Sequence, residues 1–330
     1  MINKNDYRIS SSKGIDEKIF VPINGQNQYI FIRSKDINNP IILNLHGGPA
    51  NPDAFFTYEF AKEITDAFTF VSWDQRGCGR TYYKNKEIDS ENRTATFEQA
   101  IKDVNALVDY LCKRFHKEKV IIMGHSYGTL LGVNYVYRYP EKVEKYIGIG
   151  QSVSIMETQT KNYYDNMNSI KQEDKKKDKL IKAYNALKEH LNMETLMSFQ
   201  RMTMPYFLAN TSDIIQKNQL KLIFSSPDLS FVDIRWLLGM ININKHYKRN
   251  KSLLDYTLSA NIYDVGNVFL VPMFFVSGEY DKSCNVELLK EYYEKITAPS
   301  KKLVILQKCG HSPQIDVPTL FAMELKNLLC

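Results

Sequence analysis

No stretch of this 330-residue chain approaches the roughly 18–20 uninterrupted apolar residues that a membrane-spanning helix needs. The first ten residues, Met1 to Ser10, are polar and lack the apolar centre of a secretory signal. Cysteine is scarce. Cys78, Cys112, Cys284, Cys309 and Cys330 are odd in number, scattered and without a C-x-x-C pair, which speaks against a disulfide framework and a zinc site. A strong excess of one charge is also missing: 43 Lys and Arg stand against 37 Asp and Glu, a net +6. The densest basic run, Lys171 to Lys182, is interleaved with Glu173, Asp174 and Asp178 and reads as a solvated helix face, not a nucleic-acid stripe. Repeats and low-complexity linkers are absent too. The expectation is a cytoplasmic protein with reduced thiols, no metal, no membrane and no nucleic-acid partner.

What is present is an alternation of strands and helices. Glu17 to Pro22 and Gln28 to Ser34 read as a hairpin whose turn, Asn24-Gly25, supplies positive φ. Ile41 to Leu45 is a short buried strand that stops at His46-Gly47-Gly48-Pro49. Residues 53–66 fit a helix, and Phe68 to Trp73 another strand. From Thr96 to Phe115, apolar residues at 97, 101, 104, 107, 108 and 111 mark one helical face, and Thr96 with Gln99 resembles a capping box. Val120 to Met123 is an apolar strand running into Gly124 to Gly128 and a helix that ends near Pro140. Lys145 to Ile149 is one more strand. This pattern predicts an α/β fold with a mostly parallel central sheet flanked by crossover helices. Residues 151–267 carry only helical patterns, after which strands resume at Met273 to Ser277 and Lys302 to Leu306, with a helix from Val317 to Leu329. The predicted organisation is a split core, 1–150 and 268–330, around a helical insertion at 151–267.

The chemistry concentrates at Gly124-His125-Ser126-Tyr127-Gly128. A Gly-x-Ser-x-Gly between an apolar strand and a helix is the setting in which serine, on a sharp turn, exposes its hydroxyl as a nucleophile. The flanking glycines let strand and helix approach without a Cβ clash. Serine needs a base. Of six histidines, His311 follows a strand, sits in Gly310-His311-Ser312-Pro313 and precedes the last helix, at the sheet edge where ligands meet an open α/β fold. An acid should lie between Ser126 and His311 beyond another strand. Asp281, in Gly278-Glu279-Tyr280-Asp281, is the choice to orient the imidazole, with Glu279 as rival. For the oxyanion, the expected donors are the N–H of Tyr127 and that of Gly48, with Gly47 second, since Pro49 has none. No cofactor is called for.

Taken together these motifs resemble the proline iminopeptidase branch of the α/β-hydrolases, the S33 peptidase-like group. His46-Gly47-Gly48-Pro49 is similar to that group's oxyanion loop, and Asp74-Gln75-Arg76-Gly77-Cys78-Gly79-Arg80 to its Asp-Gln-Arg-Gly-x-Gly-Arg loop. The resemblance covers about 20–150 and 268–330. It implies Ser126, Asp281 and His311 as a catalytic triad beneath a helical cap. It also implies that cap carboxylates bind a free amino group, for which Glu157 is the candidate. Ala50, Thr81, His125 and Tyr127 depart from the group's usual residues. The expected activity is cleavage of an amide or peptide bond in a small molecule or short peptide through an acyl-serine. A carboxylesterase or lactonase on the same machinery is the alternative, and a non-catalytic ligand receptor the remote one. Tyr163, Tyr164, Tyr206, Phe207 and Trp236 are the aromatics expected to be available for a pocket.

Overall fold

Asn24 and Gly25 both take positive φ, and this tight turn folds β1 (Ile15–Ile23) back on β2 (Gln26–Ser34) as an antiparallel hairpin. The computed structural model describes residues 7–169, 176–209, 213–215 and 217–330. After the hairpin come β3 (Ile41–Leu45), α1 (Tyr58–Ile64), β4 (Thr69–Trp73), α2 (Gly79–Asn85), α3 (Phe97–Phe115), β5 (Val120–His125), α4 (Tyr127–Arg138) and β6 (Val143–Ile149). Seven helices follow among the described residues: α5 (Ile155–Ser169), α6 (Lys176–Glu189), α7 (Met193–Ala209), α8 (Gln219–Ser225), α9 (Phe231–Ile241), α10 (Ile243–Arg249) and α11 (Lys251–Ser259). The chain then closes with β7 (Met273–Gly278), α12 (Val286–Lys295), β8 (Lys301–Leu306), α13 (Pro313–Asp316) and α14 (Pro318–Leu329).

The eight strands form one sheet in the order β1-β2-β4-β3-β5-β6-β7-β8. Pairing is antiparallel at β1–β2 and β2–β4 and parallel from β4 to β8. The central strands are apolar at nearly every position because both faces are covered. On β3, Leu43 and Leu45 join the core under α3, α4 and α12, while Ile42 faces the other way, toward α1 and α14. Odd and even positions thus feed two separate cores.

Several local expectations change in detail. The helix expected over 53–66 begins only at Tyr58, because Phe56 and Thr57 N–H donate to the Asp53 carbonyl in a turn ahead of it. Half of the capping box forms: Gln99 N–H donates to Thr96 Oγ1 at 3.2 Å, but the Gln99 amide turns to Asp103 instead of back to Thr96. In the basic run, Lys171 to Lys175 lie outside the described residues, and helix α6 starts at Lys176. No helix among the described residues is long and apolar enough to cross a membrane.

Candidate active site

At the end of β5 the chain turns through Ser126 at φ 54°, ψ −120°, a conformation that costs a non-glycine residue about 1–3 kcal/mol. Its surroundings impose it. Ser126 N–H donates to the Ile149 carbonyl at 3.0 Å, and its own carbonyl accepts from Thr129 N and Oγ1. The glycines either side are obligatory by contact. A Cβ at Gly128 would collide with the Leu45 carbonyl oxygen, and one at Gly124 with the Gly128 carbonyl. Strand β5, strand β3 and helix α4 therefore meet with no room for a side chain, and Ser126 is left half-buried at their junction.

Asp281 follows β7 on a turn closed by its own N–H to the Gly278 carbonyl. It is 2% exposed. One carboxylate oxygen accepts from the N–H groups of Ser283 and Cys284, both at 2.9 Å, and the other faces His311 Nδ1 at 2.9 Å. Burial works against a charged His311. The Asp281 charge and hydrogen bond, with Asp316 beyond, together outweigh it and hold the imidazole pKa above its ordinary value. Glu279, the rival acid, is exposed and accepts from Lys308 N–H. His125 packs its ring 4.9 Å from that of His311, and its Nε2–H donates to the His311 carbonyl. Burial and the neighbouring His311 push His125 down to about 3, so it stays neutral and cannot compete as a base near pH 7. The Cys284 thiol is also disarmed as a rival nucleophile. Burial and the Asp281 charge raise it well above the usual range.

Loop 46–50 runs over the elbow. A Cβ on Gly47 would stand 3.1 Å from Ser126 Cβ. Gly48 has φ 117° and a cis bond to Pro49. Tyr127 is the first residue of α4, so its N–H has no intrahelical acceptor. The second loop of the family resemblance braces the first. Gln75 N–H donates to His46 Nε2 and the Gln75 amide to the His46 carbonyl, while the Cys78 thiol lies 3.3 Å from His46 Nε2. Burial lowers His46 to about 4. Arg76 grips Asp103 of α3 through two hydrogen bonds at 2.6 and 3.0 Å, and Gln28, Asn24 and Gln99 complete that carboxylate's shell. Arg80 pairs with buried Asp233 of α9.

Ser126, His311, Gly47 and Gly48 share the wall of one cavity of about 310 Å³. Among the described residues no hydrogen bond joins Ser126 Oγ to His311, although the two side chains open onto the same space. Glu157 does not line this cavity. It is exposed near the base of α5, where Asn261 approaches it at 3.4 Å. The insertion aromatics whose side chains are described do not line it either. Tyr163 stacks on Tyr184, Tyr164 is exposed, Trp236 is buried against Tyr82 and Tyr83, and the side chains of Tyr206 and Phe207 lie outside the described residues. The cavity's aromatics come instead from the core, Phe56 and Phe60, and its acid is Asp53. Sequence reasoning missed these three because the region after His46-Gly47-Gly48-Pro49 reads as an ordinary amphipathic helix start. No group of His, Cys, Asp and Glu among the described residues is arranged to hold a metal ion.

A sheet of this order with a strained serine at a strand-to-helix turn defines an α/β-hydrolase, and the family model for the alpha/beta hydrolase fold matches residues 40–318. The chain belongs to that family and is a hydrolase of its proline iminopeptidase-like branch. It is similar to the probable aminopeptidase YbaC of Bacillus subtilis, 27% identical over 309 residues that cover 92% of this chain and 93% of that one. The proline iminopeptidase of Neisseria gonorrhoeae is 24% identical over 302 residues, covering 86% and 87%. Among solved structures, the proline iminopeptidase of Mycobacterium smegmatis superposes with a TM-score of 0.65 at 15% identity over 95% of this chain and 97% of that one.

Proposed function

We propose that this hydrolase is a serine aminopeptidase that releases the N-terminal residue of a short peptide or small amide through an acyl-serine. The observation that carries the reading is the His311–Asp281 pair, 2.9 Å apart, on the wall of the same cavity as the strained Ser126. Ser126 Oγ attacks the substrate carbonyl and His311 takes its proton. Asp281 holds the imidazole in the tautomer that leaves Nε2 free to accept, and it stabilises the imidazolium that forms. The N–H groups of Tyr127 and Gly48 take the charge on the tetrahedral oxygen. His311 returns the proton to the leaving amine, and water clears the acyl-enzyme by the same steps in reverse. The Ser126–His311 hydrogen bond closes as substrate fills the cavity, as catalytic bonds commonly tighten on binding.

Residues 151–267 act as a cap over this site. Gln219 of α8 lines the cavity, and Ile214 approaches Gly310 closely. The peptidase names of the relatives favour an amide over an ester. The test is a panel of aminoacyl-naphthylamides, proline included, beside short-chain p-nitrophenyl esters. Turnover of the aminoacyl compounds is expected. Activity confined to the esters would replace the reading with a carboxylesterase or lactonase.

A further inference from the structure

An aminopeptidase must recognise a free ammonium, and the exposed Glu157 is not at the cavity to do so. Asp53 is. Among the residues lining the cavity it is the one carboxylate, and none is Lys or Arg. Both its oxygens accept from Asn44 Nδ2, at 2.9 and 3.1 Å, and among the described residues no cation pairs with it. A carboxylate offers about four acceptor positions, so the Asn44 amide and the residue's own backbone N–H leave acceptor capacity open.

The side chain is not needed for the local turn, which is made by the Asp53 backbone carbonyl with Phe56 and Thr57 N–H. Burial raises the Asp53 pKa to about 6, opposed by the Asn44 hydrogen bond. A partly desolvated negative charge without a counter-ion is a cost to the fold, and a cationic substrate would offset it. Asn44 fixes the carboxylate to β3, one residue before the Leu45–Gly124 pair that leads into the elbow. Phe56, Phe60 and Ile315 give the same space an apolar wall, and about 310 Å³ suits one aminoacyl group.

We propose that Asp53 is the amine anchor of this site, its carboxylate binding the free α-ammonium of the substrate's N-terminal residue and thereby setting exopeptidase specificity. This rests on the aminopeptidase reading above.

The experiment compares an aminoacyl-coumarin amide with its N-acetyl counterpart in the wild type, Asp53→Asn and Asp53→Glu. The wild type is expected to prefer the free amine. In Asp53→Asn the ratio of kcat/KM for free over acetylated substrate should fall about tenfold or more, chiefly through KM, and Asp53→Glu should restore part of it. A folded Asp53→Asn protein whose ratio stays within about twofold of wild type overturns the anchor. If wild type cleaves neither amide but does cleave esters, the aminopeptidase reading fails on its own. The anchor is then decided by the same ratio measured on aminoacyl and N-acetyl-aminoacyl p-nitrophenyl esters. Should Asp53→Asn not fold, wild-type inhibition by alaninamide against N-acetyl-alaninamide decides the matter, with equal inhibition overturning the proposal.

Discussion

Asp281 holds His311 by one carboxylate oxygen while its other oxygen is fixed by two backbone N–H groups, those of Ser283 and Cys284. The acid therefore cannot rotate away without breaking three hydrogen bonds at once. Asp281→Asn keeps the shape but puts an amide N–H against a ring nitrogen or a backbone donor. On the proposed mechanism kcat should drop by about 10⁴, and the mismatched buried donor should cost about 1–3 kcal/mol of stability. A steady-state assay with a thermal melt checks both.

The same pair sets a pH dependence. On the proposed mechanism His311 acts only when neutral, and Asp281 keeps its proton on to a higher pH than an ordinary histidine would. Activity should fall as pH drops through a value higher than that of an ordinary histidine. In Asp281→Asn the residual activity should fall at a lower pH, since the charge that raised the imidazole is gone. The acid limb of kcat/KM against pH measures this directly, and an unmoved limb would contradict it.

Ser126→Ala should remove turnover by at least about a thousandfold on every acyl substrate while leaving the fold intact, because alanine loses only the hydroxyl. Burst kinetics with an activated ester should also vanish. A variant that retained wild-type rates would refute the nucleophile assignment.

Gly128→Ala is expected to be destabilising where Ser126→Ala is not. The added methyl meets backbone, the Leu45 carbonyl, which cannot swing aside as a side chain would. Overpacking of this kind costs about 1–3 kcal/mol or more. A lowered denaturation midpoint together with lost activity is the expected result.

Asp103→Ala should cost about 3–5 kcal/mol, because it strands the Arg76 guanidinium, 5% exposed at its side chain, with no counter-charge. Urea unfolding of wild type and variant gives the difference.

The sheet and the loops of the candidate site were legible in the sequence because each has a local signal. Apolar runs such as Val120–Met123 mark strands buried on both faces, and the Gly-x-Ser-x-Gly spacing marks a turn that only glycines allow. Of the two carboxylates weighed as the acid, Asp281 is enclosed and Glu279 lies at the surface. Asp53 was illegible for a physical reason. Its place in the cavity depends on Asn44, nine residues earlier on a strand whose side-chain direction only the assembled sheet fixes. The role of the Gln75 loop as a brace for His46 was hidden for the same reason: the contact spans 29 residues and has no periodicity to announce it. An abundance of Tyr and Phe in the insertion says that something is buried, not what it is buried against.

Arg80 is joined to Asp233 of α9 at one end of a segment whose other end, Gln75, steadies His46. Lifting α9 would leave two enclosed opposite charges without partners, a step of about 3–5 kcal/mol, and would pull on the loop that holds His46. Any movement of α9 is thereby tied to the segment that steadies His46, and the two shift together or not at all.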